Sequence, residues 1–119
     1  MGKKSLLMAM LLICAKADSE DFISEFEYGQ MLYHDPRGVS CAPCHGDRGE
    51  GRIIAGYTTS EGGKRFLRGP AIRNVSLEIL ANTIRKGPGV MPRYFLTDEE
   101  IRAIYRYLNE AENRVEEAE

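Results

Sequence analysis

Cys41, Cys44 and His45 are the three residues of this 119-residue chain whose spacing carries the most chemistry. Cys41-Ala42-Pro43-Cys44-His45 reads as C-x-x-C-H, the attachment pattern for a c-type haem. Residues i and i+3 share one face of a helical turn, so two thiols there can reach the two vinyl groups of one porphyrin. His45 follows directly and comes under the ring with an imidazole that can bind iron. Other uses of the cysteines fit less well. A redox pair of the thioredoxin kind wants a βαβ pattern, and none is visible. A structural zinc site needs four ligands, and Cys41, Cys44, His45 and His34 include two adjacent residues that close a tetrahedron poorly. A plain Cys41–Cys44 disulfide leaves His45 without a role.

Iron held by one histidine has a sixth position to fill. The candidates are Met91, Met31 and His34. Met91 stands in Gly87-Pro88-Gly89-Val90-Met91-Pro92, where glycines permit close backbone approach and prolines stiffen the loop. A stiff loop presenting a thioether is the best of the three. Met31 falls inside an expected helix, and His34 ends that helix seven residues before Cys41.

The elements that must position these groups read as helices. Phe22, Phe26, Gly29 and Tyr33 form one helix face, with Glu20 and Asp21 in its first turn and Asp35-Pro36 at its end. Ser76 caps a second helix along Leu77, Leu80, Ala81 and Ile84, which Gly87 stops. Thr97 and Glu100 form a capping box ahead of Ile101, Ile104, Tyr105 and Leu108. The tail from Glu110 is expected to be acidic and solvated. Residues 46–70 hold seven glycines and little periodicity, so a loop with one short helical turn is expected there. No stretch alternates long enough to argue a sheet. The expectation is an all-α domain of three main helices plus a short attachment helix around one haem.

Before this domain, Lys3 and Lys4 precede an apolar run from Leu6 to Ala15, and Ala15-Lys16-Ala17 follows. That is the layout of a secretory signal, with cleavage expected after Ala17. The run is about half the roughly 20 residues that span a bilayer, so stable membrane insertion is not expected. Residues 18–119 would then form one domain with 13 basic and 18 acidic residues, a net charge of -5. Neither this nor the whole-chain charge of -2 favours a nucleic-acid partner.

On the motif C-A-P-C-H, the later Met91-Pro92, and Thr97-Asp98-Glu99-Glu100-Ile101, the chain resembles the class I, small monohaem cytochromes c of bacteria over roughly residues 20–110. The resemblance implies a cytochrome c fold, with His45 and Met91 as the two iron ligands. It implies a crossing of the first and last helices, with Gly29 and Tyr33 against Ile104 and Tyr107. Gly69-Pro70-Ala71-Ile72 is similar to the family's G-P-x-L, which makes the Pro70 carbonyl the acceptor for the second nitrogen of His45. The stretch 46–68 is longer than in the shortest members. Tyr57, Arg68 and Arg73 are candidates for contacts to the propionates.

The function expected on these grounds is a periplasmic one-electron carrier, a monomer and not an enzyme, exchanging electrons with respiratory partners. One covalent haem c, bonded through Cys41 and Cys44, is its cofactor. The alternatives are a haem subunit or anchored domain of an oxidase or dehydrogenase, or a peroxidase or gas-binding protein if Met91 is not the sixth ligand. Charge is divided along the chain. Residues 18–36 carry -6, residues 37–93 carry +6 and residues 94–119 carry -5. The basic middle contains the ligands, so an acidic docking surface on the partner is expected.

Overall fold

A computed structural model describes residues 23–118; the signal-like segment and Phe22 lie outside them. In chain order the elements are α1 (Glu25–His34), α2 (Ala42–His45), β1 (Arg52–Thr58), β2 (Lys64–Gly69), α3 (Leu77–Lys86) and α4 (Asp98–Ala118). Among the described residues, four helices and a two-stranded antiparallel sheet therefore replace the expected all-α fold.

The correction falls on residues 52–69, which are a hairpin and not a loop. Ile53, Ile54, Tyr57 and Thr58 in one strand and Phe66 and Leu67 in the other are β-branched, aromatic or aliphatic side chains that favour extended backbone. Gly62 takes a left-handed conformation in the turn, and Thr59 N–H donates to the Gly63 carbonyl across it at 2.8 Å. The register shifts between Ile53 and Ala55, leaving Ile54 as the extra residue of a bulge. Both faces of the hairpin are largely exposed, so no alternation of apolar and polar residues marks it in the sequence.

The helices form where their caps stand. Ser24 accepts from Glu27 N–H and starts α1 after the acidic pair expected in its first turn. Ser76 caps α3 by accepting from Ile79 N–H, and Gly87 closes it in a left-handed conformation. At α4, Glu100 accepts from Thr97 N–H at 2.9 Å and Glu100 N–H donates to Thr97 Oγ1 at 3.2 Å. This last helix runs on to Ala118 and does not give way to a tail at Glu110. Glu110 pairs with Arg106 and Arg114 one turn to either side, Ala111 is buried, and the Arg114 guanidinium lies 3.9 Å over the Phe26 ring.

The core lies between α1 and α4, with α3 and the strand-free segment around Tyr94 and Leu96 closing it. Gly29 makes the helix crossing possible. A Cβ there would overlap the carbonyl oxygen of Ala103, so the closest partner is α4 backbone and not the Ile104 side chain. Beside it the Tyr33 and Tyr107 rings meet at 5.3 Å, as do Phe26 and Tyr107. Gly29→Leu should therefore lower stability by about 1–3 kcal/mol or more through overpacking. Gly29→Ala should lower it in the same direction, despite the better helix propensity of Ala. Thermal melts of both variants check this, and a rise for Gly29→Ala would refute the close crossing.

Arg37 locks the loop after α1 to the start of α4. Its guanidinium donates to both carboxylate oxygens of the buried Glu100, at 2.6 and 2.8 Å, and to the Phe95 carbonyl at 3.0 Å. The Arg37 hydrogen bonds and the Thr97 N–H hold the Glu100 carboxyl down to about 2. A carboxyl lowered on folding stabilises above its ordinary value of 4.5, and that stability is lost as pH falls towards 2. Wild-type denaturation midpoints should thus drop between pH 4.5 and 2 by more than those of Glu100→Gln. Equal slopes in the two proteins would show that this carboxylate does not carry the acid sensitivity.

Candidate haem-attachment site

The attachment turn is held from three sides. From α1, Tyr33 donates its hydroxyl to the Gly46 carbonyl at 2.6 Å, and Cys41 N–H donates to the Tyr33 carbonyl at 3.0 Å. From α4, Tyr107 donates its hydroxyl to the Asp47 carbonyl at 2.6 Å. Burial raises both phenol pKa values, so each hydroxyl remains a donor. From the hairpin, Gly69 lies so close that a Cβ would overlap the Cys44 carbonyl. Gly51 N–H donates to the His45 carbonyl at 2.6 Å and closes the loop behind the turn.

Within that frame Cys41 begins the single turn of α2, and Pro43 sits in its first positions where no amide donor is needed. Cys41 and Cys44 are free thiols, half-buried, three residues apart on the turn. Burial, with the Cys44 charge adding to it, pushes the Cys41 thiol up to about 11, so it is neutral near pH 7. His45 Nδ1 stands 2.8 Å from the Pro70 carbonyl. A carbonyl can only accept, so Nδ1 carries the proton and Nε2 keeps its lone pair. That hydrogen bond orients the imidazole.

Glu50 shapes the loop behind His45. It accepts from Asp47 N–H at 3.1 Å and Arg48 N–H at 2.8 Å. Burial acts to raise its pKa, but these amides and Arg73 outweigh it and hold the carboxyl below its ordinary value. On the far side, the Met91 loop folds back on the end of α3. Met91 N–H donates to the Pro88 carbonyl at 3.1 Å, and Tyr94 N–H to the Ile84 carbonyl at 3.0 Å. Tyr94 donates its hydroxyl to the Val39 carbonyl at 2.6 Å, which ties this loop to the residues before Cys41. Met91 and Cys41 are both half-buried against the same core.

The donors on these elements fit a haem. Two unpaired thiols are spaced one helical turn apart, and an imidazole is fixed in the tautomer that leaves Nε2 for a metal. A thioether lies at the margin of the same core. The competing sixth-ligand candidates are placed otherwise. Met31 is 59% exposed on α1. His34 Nδ1 donates to the Gln30 carbonyl of its own helix at 2.9 Å, and its ring stands edge-on to Tyr33. The propionate candidates are dispersed. Tyr57 and Arg68 are exposed on the hairpin, and Arg73 lies near Glu50. Among the described residues there is no group of three or more His, Cys, Asp or Glu side chains arranged to hold a metal ion on its own.

Sequence reasoning did not single out the tethering hydroxyls of Tyr33, Tyr94 and Tyr107, or Glu50. Tyr33 and Tyr107 were visible as residues of the helix crossing and Tyr94 was not, and the carbonyls that all three bind leave no mark in side-chain patterns. The signal for Glu50 is the glycine spacing of Gly46-Asp47-Arg48-Gly49-Glu50-Gly51, a tight loop whose amides need an acceptor.

The model of the family described as cytochrome c oxidase, cbb3-type, subunit III matches residues 24–108. The chain belongs to that family. Its matched part runs from the cap of α1 to the buried Leu108 of α4 and contains the whole C-x-x-C-H turn. As a cbb3-type cytochrome c domain it is a monohaem c-type cytochrome domain, in line with its resemblance to class I cytochromes c. Membership implies a covalently bound c-type haem and a part in electron transport, as a carrier or an oxidase-associated subunit. No curated protein and no solved structure matches the chain. Among the described residues, no helix of this cbb3-type domain is long and apolar enough to cross a membrane.

Proposed function

We propose that this domain is a periplasmic one-electron carrier holding a single haem c, with His45 and Met91 as the iron ligands. The observation that carries the reading is the His45 Nδ1–Pro70 contact directly beside two free thiols, in a chain of this family. Haem bound this way supplies one-electron exchange between ferrous and ferric iron.

The rest belongs to the chain. Cys41 and Cys44 each present a thiol for addition to a vinyl group. Each addition would exchange an S–H bond for an S–C bond, with the proton going to the other vinyl carbon. Neither partner is oxidised, so no oxidant is needed. His45 offers Nε2 while Pro70 holds its Nδ1 proton. Met91 offers a thioether from a loop stiffened by Pro88 and Pro92. With His45 and Met91 both supplied by the chain, a bound haem would change its charge with its protein ligands kept. This favours electron transfer over peroxidase or gas-binding chemistry, and we assign no enzymatic activity. The basic segment around these ligands, including Lys86 and Arg93, points to a partner with an acidic docking surface.

The family description favours a second reading, a haem subunit associated with a terminal oxidase. Both readings need the same iron ligands and differ in whether the domain is isolated alone. The test is production through an export route with an intact cytochrome c maturation system. The carrier reading expects a freely soluble periplasmic holoprotein whose denatured chain carries the added mass of one haem. Recovery only within a membrane complex favours the subunit reading, and a chain without added haem mass overturns both.

A further inference from the structure

The β1–β2 hairpin has properties that the attachment site does not explain. No residue of either strand belongs to the hydrophobic core. Yet Ile53, Tyr57 and Phe66 are 48%, 54% and 56% exposed there. Phe66 lies across the strand from Gly56 and covers it, at ordinary contact distance from where a Cβ would stand. Around these side chains stand Arg52, Lys64, Arg65 and Arg68, against the single acid Glu61 in the turn. None of the four cations takes part in an ion pair among the described residues. Arg37, Arg85, Arg106 and Arg114, all outside the hairpin, do pair. The two-stranded sheet also leaves one edge of each strand without a neighbouring strand. Its end is seated against Cys44 through Gly69, so anything bound to the hairpin is anchored beside the attachment turn.

Strand alternation puts Ile53, Phe66, Lys64 and Arg68 on one face and Tyr57 with Arg65 on the other, and the exposed apolar anchors beside unpaired cations on the first face have the anatomy of a protein interface whose partner is acidic. We propose that the hairpin is a docking arm that holds the acidic face of a redox partner protein against the attachment side of this domain. The proposal rests on the electron-carrier reading and adds to it a specific surface. Charge complementarity fixes the occupant's chemistry: carboxylates to meet Lys64 and Arg68, with Arg52 and Arg65 adding to the local field, and an apolar patch to meet Ile53 and Phe66. Electrostatic attraction brings the partner in, and the apolar contacts lengthen its stay.

The test uses the ferric holoprotein and, as probe, an acidic flavodoxin in its reduced form, with transfer of one electron followed by stopped flow. Ascorbate, which needs no protein interface, is the reference reductant. Lys64→Glu with Arg65→Glu should lower the second-order rate at low salt by about tenfold and flatten its salt dependence. Ile53→Ser with Phe66→Ser, which leaves the charge untouched, should lower it by about fivefold. Both double variants should keep the wild-type absorption spectrum and ascorbate rate. Hairpin variants that react with flavodoxin as fast as wild type overturn the docking arm, as does a loss found only with Lys86→Glu and Arg93→Glu, and the carrier reading then stands. A spectrum altered by Ile53→Ser with Phe66→Ser overturns it too, since the hairpin then covers the haem. Self-association of wild type that these substitutions abolish assigns the arm to a second copy and also contradicts the proposal. A wild type that neither reductant reduces removes the carrier reading itself.

Discussion

Replacing His45 by Ala is expected to lower the yield of stable holoprotein by about tenfold or more, because losing even an outer partner of a metal ligand costs 10- to 100-fold in affinity. His45 is the iron ligand proposed on the attachment turn, and its orientation is set by the 2.8 Å contact to Pro70. The apoprotein should keep much of its helical structure, since the Tyr33 and Tyr107 tethers run to the carbonyls of Gly46 and Asp47 and not to the imidazole. Cys41→Ala or Cys44→Ala should behave differently, leaving at most one thioether and a haem removable in part by acid and organic solvent. Intact mass of the denatured chain, with absorbance per mole of protein, separates the cases. Wild-type haem content in His45→Ala would refute the assignment.

The second large effect is expected at Met91. Met91→Ala should retain haem on Cys41 and Cys44 but free an axial position. The ferric far-red band of methionine-to-iron bonding should vanish, and cyanide and carbon monoxide should bind much more readily than to wild type. Met91→His should keep the iron low-spin and lower the potential, because imidazole favours ferric iron more than a thioether does. The loop itself should survive, as Tyr94 is fixed independently by the Ile84 and Val39 carbonyls. An unchanged spectrum in Met91→Ala would move the ligand elsewhere. His34 would then have to give up its bond to Gln30, or exposed Met31 would have to turn inward.

The parts of this molecule that were legible in its sequence are those encoded by side-chain type at fixed spacing. The C-x-x-C-H turn forms a helical turn where expected, and the caps at Ser76 and at Thr97–Glu100 start the helices they were expected to start. The hairpin was not legible. Its bulge at Ile54 breaks the period of two, its faces are both solvated, and its glycines read as loop. The helix crossing was legible only in part. Gly29 marks a close approach, but the atom it meets is a backbone oxygen of Ala103, which any residue at that position would supply. Ser24 was missed although Ser24-Glu25-Phe26-Glu27 has the spacing of a cap, because the acids at 20 and 21 offered an earlier start. Arg37, in a left-handed conformation that few non-glycine residues adopt, follows from its pairing with Glu100 across 63 residues and from no local signal.

As proposed, this chain would hold one haem between His45 and Met91 and cycle one electron without a change of ligands. Spectroelectrochemical titration of the holoprotein from its export route tests that claim directly. A single one-electron wave is expected, with low-spin spectra at both ends, the far-red band at the oxidised end, and a potential on the positive side set by thioether ligation and burial. More than one wave, a high-spin iron at either end, or a ligand exchange during the titration would contradict it.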